Sequence, residues 1–188
     1  ADPGLVGGGE GGPRHSVETM YCIEGSCPTA LSYQNIASIM FLEPEVACVG
    51  YSETAALAKG IPIKVGIYSF ELVNRALISA INSGYVKLIV ANDGTDRLIG
   101  MRAIGQQASA VIGPAQLVIA NGQSVHALEK ILFPHPAISE SVQECARMFS
   151  GRSIMKPHCF ITQLRIEEVT PPEPDPTKVK KFSVPTYK

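Results

Sequence analysis

The stretch 84–105, GYVKLIVANDGTDRLIGMRAIG, limits the fold more than any other part of this chain. Two β-rich runs, 85–90 and 98–104, flank ANDGTDR, and the Asp93-Gly94 pair inside that link is a strong turn signal. The pattern predicts an antiparallel hairpin. Placed near the middle of 188 residues, the hairpin leaves the class of the fold to what flanks it.

Before the hairpin the residues read mainly as strand. IASIMFL at 36–42 predicts a buried strand that stops at Glu43-Pro44, because a proline cannot continue a central ladder. SETAALAKG predicts a compact helix: Ser52 is a good N-cap, Glu53 sits in the favourable first turn, and Gly60 suits the left-handed position after the end. IPIKVGIYSF at 61–70 alternates as a strand. Behind the hairpin the period becomes helical. QASAVIGPAQLVIAN at 107–121 has apolar residues at helical spacing and Gly122 as a stop, with Pro114 expected to kink or interrupt it. SVHALEKIL, capped by Ser124, and SESVQECARMF, with Ser139 as N-cap, are two further helices. The order predicts an α+β fold, an antiparallel β-sheet with helices packed on one face. The glycine-rich start predicts a flexible N-terminal arm, with a helical turn over 16–20, and prolines 171, 172, 174 and 176 predict an extended proline-rich C-terminal tail. The expected division is 1–33 arm and linker, 34–152 folded domain, 153–188 extended tail.

Composition excludes several classes of function. Sixteen basic residues against 17 acidic give a net charge of −1, so there is no basic field to attract nucleic acid or an anionic membrane. No apolar run reaches the ~18 residues that a membrane span needs, and the N-terminus lacks the charged start and apolar stretch of a signal peptide. The five cysteines, Cys22, Cys27, Cys48, Cys145 and Cys159, are an odd number in a chain that is not small. A reducing compartment such as the cytoplasm is expected.

Several motifs invite chemistry and do not support it. Gly7, Gly9 and Gly12 spell G-x-G-x-x-G, but ADPGL is no convincing strand, so dinucleotide binding is not expected there. Cys22 and Cys27 in CIEGSC have a spacing that allows a redox disulfide, yet the nearest charge is Glu24, the wrong sign to lower a thiol pKa, and free thiols are expected. His158 and Cys159 are adjacent, not at ligand spacing, so no metal site is expected. His126 reads as an ordinary surface or groove histidine, and Tyr51, Tyr68 and Tyr85 as packing residues.

FPHPAISE at 133–140 is different. Pro134 and Pro136 stiffen the segment that presents His135. Glu140 falls at or near the first turn of the next helix, where its carboxylate can return to one ring nitrogen. That would fix the tautomer and leave the other nitrogen to accept a proton. A helix-terminal carboxylate beside an exposed histidine is the plainer reading of the same spacing.

EPEVACVGYSE, NRA at 74–76, GYVKLIV, TDRLIGMRAIG and HPAISE occur in a fixed order. Together they resemble the C-terminal dimerisation domain of the pyridine nucleotide-disulfide oxidoreductases over roughly residues 34–150, with the dihydrolipoyl dehydrogenases the nearest branch. The resemblance implies an α+β domain and a homodimer. It implies that His135 is the acid–base for a dithiol substrate at the partner subunit's flavin and redox disulfide, with Glu140 orienting it. It also implies FAD and NAD(P) for the full-length enzyme, none of them bound by this chain, which alone is expected to be inactive. Ala137 stands where the family usually has threonine. The alternative function is a stand-alone, non-catalytic dimerisation or adaptor module derived from that domain.

Overall fold

The computed structural model describes residues 5–22 and 33–172. Its frame is a six-stranded antiparallel sheet in the order β1-β2-β5-β4-β3-β6, formed by β1 (Ser38–Met40), β2 (Val46–Gly50), β3 (Ile63–Ser69), β4 (Gly84–Ala91), β5 (Leu98–Gly105) and β6 (Leu164–Val169). The expected hairpin is the β4–β5 pair at its centre. Its turn is tied by Asp93, whose Oδ1 accepts from the Thr95 backbone N–H at 3.0 Å and the Thr95 hydroxyl at 2.5 Å. Gly84 and Gly105 pair at the open end of the hairpin with φ of +136° and +131°. The fully buried Phe70 ring lies against them, so a Cβ on Gly105 would come within 2.6 Å of it.

The helices are α1 (Leu5–Met20), α2 (Glu53–Ala58), α3 (Asn74–Ile78), α4 (Ala108–Ala120), α5 (His126–Glu129) and α6 (Glu140–Phe149). α4 packs on β2 and β5, α6 packs on β3 and β4, and α5 packs on α6. The main core lies between these helices and the sheet, around Val86, Leu88, Met101, Val111, Ala115, Leu128 and Val142. A smaller cluster of Ile63, Val65, Ile89 and Ile99 fills the opposite face against Ala56 of α2. Ser52 caps α2 as expected, accepting from the Ala55 N–H at 3.1 Å.

Several elements differ from the sequence reading. The strand expected at 36–42 is only β1, an edge strand, and Phe41 beyond it is 78% exposed. Only one neighbour pairs with it, so its apolar residues are not enclosed. β2, in VACVG, has no counterpart among the predicted strands. α4 runs unbroken through Pro114, because Val111, Ile112, Ala115 and Val118 are anchored in the core on both sides of the proline. α5 covers four residues rather than the nine of SVHALEKIL. The stretch from 153, read as tail, is folded as far as Val169: β6 pairs with β3 from Ile63↔Val169 to Tyr68↔Leu164, and Leu164 is buried. LRIEEV hides this because four of its residues face solvent on the sheet edge.

The N-terminal arm is helical over α1, held by local contacts such as the Arg14–Glu18 ion pair, and none of its described residues enters the core. Cys22 is disulfide-bonded, which corrects the free-thiol reading for that residue; spacing alone does not set the redox state of a thiol. Cys27 and the proline- and lysine-rich end after 172 lie outside the described residues. Cys48, Cys145 and Cys159 are free, and burial pushes the Cys145 thiol up to about 12.

Leu164 separates a sheet strand from a loose tail. Leu164→Ala should lower the unfolding free energy by about 2–5 kcal/mol, measured by urea denaturation. A residue in an unpacked tail would leave the midpoint unchanged.

Candidate functional site

The route from α5 to α6 passes through Pro134 and Pro136, and the His135-Pro136 peptide is cis. Glu140 is the first residue of α6. Glu140 Oε1 lies 2.8 Å from His135 Nδ1, while Oε2 accepts the Ala137 backbone N–H at 2.9 Å. Both carboxylate oxygens are thus engaged, and the carboxylate cannot rotate away from the ring. A carboxylate oxygen accepts, so this contact calls for the proton on Nδ1 and leaves Nε2 open. The imidazole is 62% exposed and Glu140 26%. A histidine in this arrangement can take a proton from an incoming X–H group and return it.

His135 and Glu140 line a cavity of about 320 Å³, with Tyr68 of β3, Asn74 of α3, Arg147 of α6 and, from beyond α6, Ile154 and Met155. Asn74 belongs to the NRA motif, whose Ala76 is buried in the core. Glu144, one turn after Glu140 on α6, pairs with Arg147 at 2.5 Å. Burial, followed by the Glu144 and Glu140 carboxylates, raises the pKa of the Tyr68 phenol. Tyr68, expected as a packing residue, lines the cavity, as do Ile154 and Met155 from the stretch expected as tail. The signal for Tyr68 was available only as a polar-tipped residue on a buried strand face.

The other motifs also have structural partners. Glu45 of EPEVACVGYSE caps α4, its Oε2 accepting from the Ser109 N–H at 3.1 Å and hydroxyl at 2.7 Å, and these bonds lower its pKa. Arg102 of TDRLIGMRAIG donates to the carbonyls of Met101, Val49 and Gly50, which ties β5 to β2.

His126 is not an isolated groove histidine. Its Nδ1 lies 2.5 Å from Glu129 and its Nε2 3.2 Å from Asp96. Asp96, in the β4–β5 turn, also takes Lys64 of β3 at 3.0 Å, and Glu129 lies 3.5 Å from Arg152. No sequence signal joins these residues, since Asp96 and His126 are 30 positions apart. The cluster is separate from the His135 cavity lining and ties the hairpin turn to α5.

The residues described here do not fit a dinucleotide. Gly7, Gly9 and Gly12 lie within α1, with no strand before them among the described residues. The His135 cavity is small and has no glycine-rich backbone in its lining. No helix is long and apolar enough to cross a membrane, among the described residues.

Fold and site together define an α+β domain that presents a histidine–carboxylate pair at one end of its sheet. The chain belongs to the pyridine nucleotide-disulphide oxidoreductase dimerisation-domain family, whose model matches residues 36–146. It is 33% identical over 140 residues to the mitochondrial dihydrolipoyl dehydrogenase of Caenorhabditis elegans, covering 73% of this chain and 28% of that protein. It is 35% identical over 125 residues to the mitochondrial dihydrolipoyl dehydrogenase of Schizosaccharomyces pombe, covering 66% and 24%. Among solved structures it is similar to LpdA from Mycobacterium tuberculosis, with a TM-score of 0.61, 25% identity, and 67% of this chain and 27% of that one covered. The chain thus spans about a quarter of the length of the relatives it matches.

The Glu129 hydrogen bond, joined by Asp96 and opposed by desolvation, raises the His126 pKa above 6.5. A raised folded-state pKa gives stability that is present below the unfolded value and lost as pH rises through the folded one. The destabilisation caused by His126→Gln should therefore be larger below pH 6.5 than about two units above it. Thermal melts of both chains across that range measure it; an equal deficit at all pH values would contradict the assignment.

Proposed function

We propose that this chain is the dimerisation domain of a dihydrolipoyl-dehydrogenase-like dithiol–disulfide oxidoreductase, and that His135 with Glu140 is the acid–base pair it supplies to the partner subunit of a homodimer. The observation that carries the reading is the Glu140 carboxylate held between the His135 ring and the Ala137 N–H. In this reading a substrate thiol gives its proton to His135 Nε2 and becomes the thiolate, the nucleophilic form. Glu140 stabilises the imidazolium, and the same nitrogen returns the proton to a thiolate in the reverse direction.

Three further points support it. The chain covers only about a quarter of its dehydrogenase relatives, so FAD and NAD(P) fall to other parts of the protein, and this chain alone is inactive. Phe41, Leu42 and Leu132 are large apolar residues left exposed, as residues covered by a second subunit or further domains would be. Ala137, in place of threonine, contributes to the pair through its backbone N–H, which any residue but proline offers. The departure from the family pattern therefore does not break the contact and does not favour a module that has lost its chemistry. The folded unit in this proposal runs from about 34 to 170, longer than the sequence division at 152 because β6 completes the sheet.

In the whole dimeric protein, His135→Gln should lower dithiol turnover about 10²- to 10⁴-fold, with Glu140→Gln lowering it by a smaller factor. Melting temperatures should stay near wild type, because the imidazole is mostly exposed. Steady-state kinetics with unfolding controls decide this, and unchanged turnover in both variants would sink the acid–base role. Sedimentation equilibrium of the chain should show a dimer.

A further inference from the structure

A second cavity lies between α5 and the end of α6. It has a volume of about 410 Å³ and is lined by His126, Glu129, Lys130, Arg147 and Arg152. All five are ionisable, and four of them carry or can carry positive charge. The whole chain has a net charge of −1, so this excess is local and does not follow from composition. The walls are tied to one another. The buried Gln143 of α6 donates its side-chain amide to the carbonyls of Glu129, at 3.1 Å, and Ile131, which joins α6 to α5 on both sides of Lys130. After α6 the chain turns back at Gly151, with φ of +70°, and the Arg152 N–H donates to the Arg147 carbonyl at 2.8 Å. The backbones that carry Lys130, Arg147 and Arg152 are therefore fixed before any ligand arrives.

The carboxylates at this cavity are fully engaged. Glu129 has Oε1 on His126 and Oε2 3.5 Å from Arg152. Asp96, behind His126, has one oxygen on that ring and the other on Lys64. Glu144 has Oε1 on Arg147 at 2.5 Å and Oε2 on Ser153 and Ile154. The cations keep donors in surplus. Lys130 is exposed, and its ammonium has no partner among the described residues. Arg147 commits Nη1 to Glu144. Arg152, 74% exposed, meets Glu129 with Nη2 and the Ser150 hydroxyl with Nε at 3.3 Å. His126 stands between two carboxylates, so once protonated it adds positive charge but no N–H for a ligand.

Positive donors in surplus, approaching from α5, from α6 and from the turn after it, suit an anion that accepts from several directions. The tetrahedral oxygens of a phosphate group do this; a carboxylate offers two oxygens in one plane. We propose that Lys130, Arg147 and Arg152 form a binding site for a phosphate dianion, either free or as the monoester of a small molecule. The volume of about 410 Å³ is in the range of small-molecule sites. The site does not rest on the acid–base reading of His135.

The test is an NMR titration of the 188-residue chain with inorganic phosphate and with glycerol 2-phosphate, at constant ionic strength, with acetate as the planar control. The amide signals of Lys130, Arg147 and Arg152 should shift saturably with at least one of the two phosphates, and the tighter of them identifies the free ion or the ester as the source. Lys130→Gln and Arg152→Gln should each weaken binding about threefold, and the double variant about tenfold. Both side chains are exposed, so melting temperatures near wild type should confirm that the variants fold. Absence of saturation with both phosphates, saturation by acetate at the same concentrations, or unchanged affinity in the double variant overturns the site.

Discussion

Pairing between β4 and β5 is the interaction on which the other elements depend. These two strands occupy the middle of the sheet, and most of their side chains are buried, on both faces. Val86, Leu88 and Val90 face the helices, while Ile89 and Ala91 face the smaller cluster under α2. A one-residue slip would exchange these sets and leave both clusters wrongly filled. Register is therefore specified twice, and the Asp93–Thr95 turn and the Gly84↔Gly105 pair fix the two ends.

α6 takes its position from this frame and passes it to the site. Gly66 of β3 faces the helix, and a Cβ there would come within 2.8 Å of the Phe149 ring and 3.4 Å of Cys145 Sγ. The bare backbone lets α6 lie close to β3. The tyrosine two residues further along the same strand face then reaches the first turns of the helix, where Glu140 and Glu144 project. These two carboxylates, four residues apart on one helix face, have different tasks. Glu140 reaches back to His135 and Ala137, and Glu144 reaches forward to Ser153 and Ile154. One helix end thus holds the loop before it and the segment after it around a common cavity.

What was legible in the sequence was what local chemistry specifies. The hairpin showed itself through β-rich runs around Asp93-Gly94, and α2 through Ser52 and Gly60. The His135–Glu140 contact could be anticipated because its partners are five residues apart, with Pro134 before the histidine and Pro136 after it. What stayed hidden depends on tertiary context. β2 is five residues long and begins two residues after a proline, so its pairing with β1 and β5 is its clear mark. β6 alternates poorly because only one end of it is buried. Pro114 breaks a helix in isolation, but here the residues around it are held by the sheet. The His126 cluster joins β3, the hairpin turn, α5 and Arg152, and no spacing rule connects them.

Exposure of His135 follows from the same geometry. The cavity supplies the orienting carboxylate, a hydroxyl and an apolar wall, yet the ring itself remains mostly open to solvent. Proton transfer at such a nitrogen gains little over bulk water until another surface covers it, because electrostatic effects strengthen only where water is displaced. In the proposed role the pair, oriented on one side and uncovered on the other, would be half of a reaction centre. A domain whose family is defined by dimerisation is a fitting carrier for such a half, since the act of association would supply both the cover and the reacting group. Rigidity then matters more than enclosure within the single chain: the prolines, the doubly engaged Glu140 and the latch at Glu144 set the geometry before any second surface arrives.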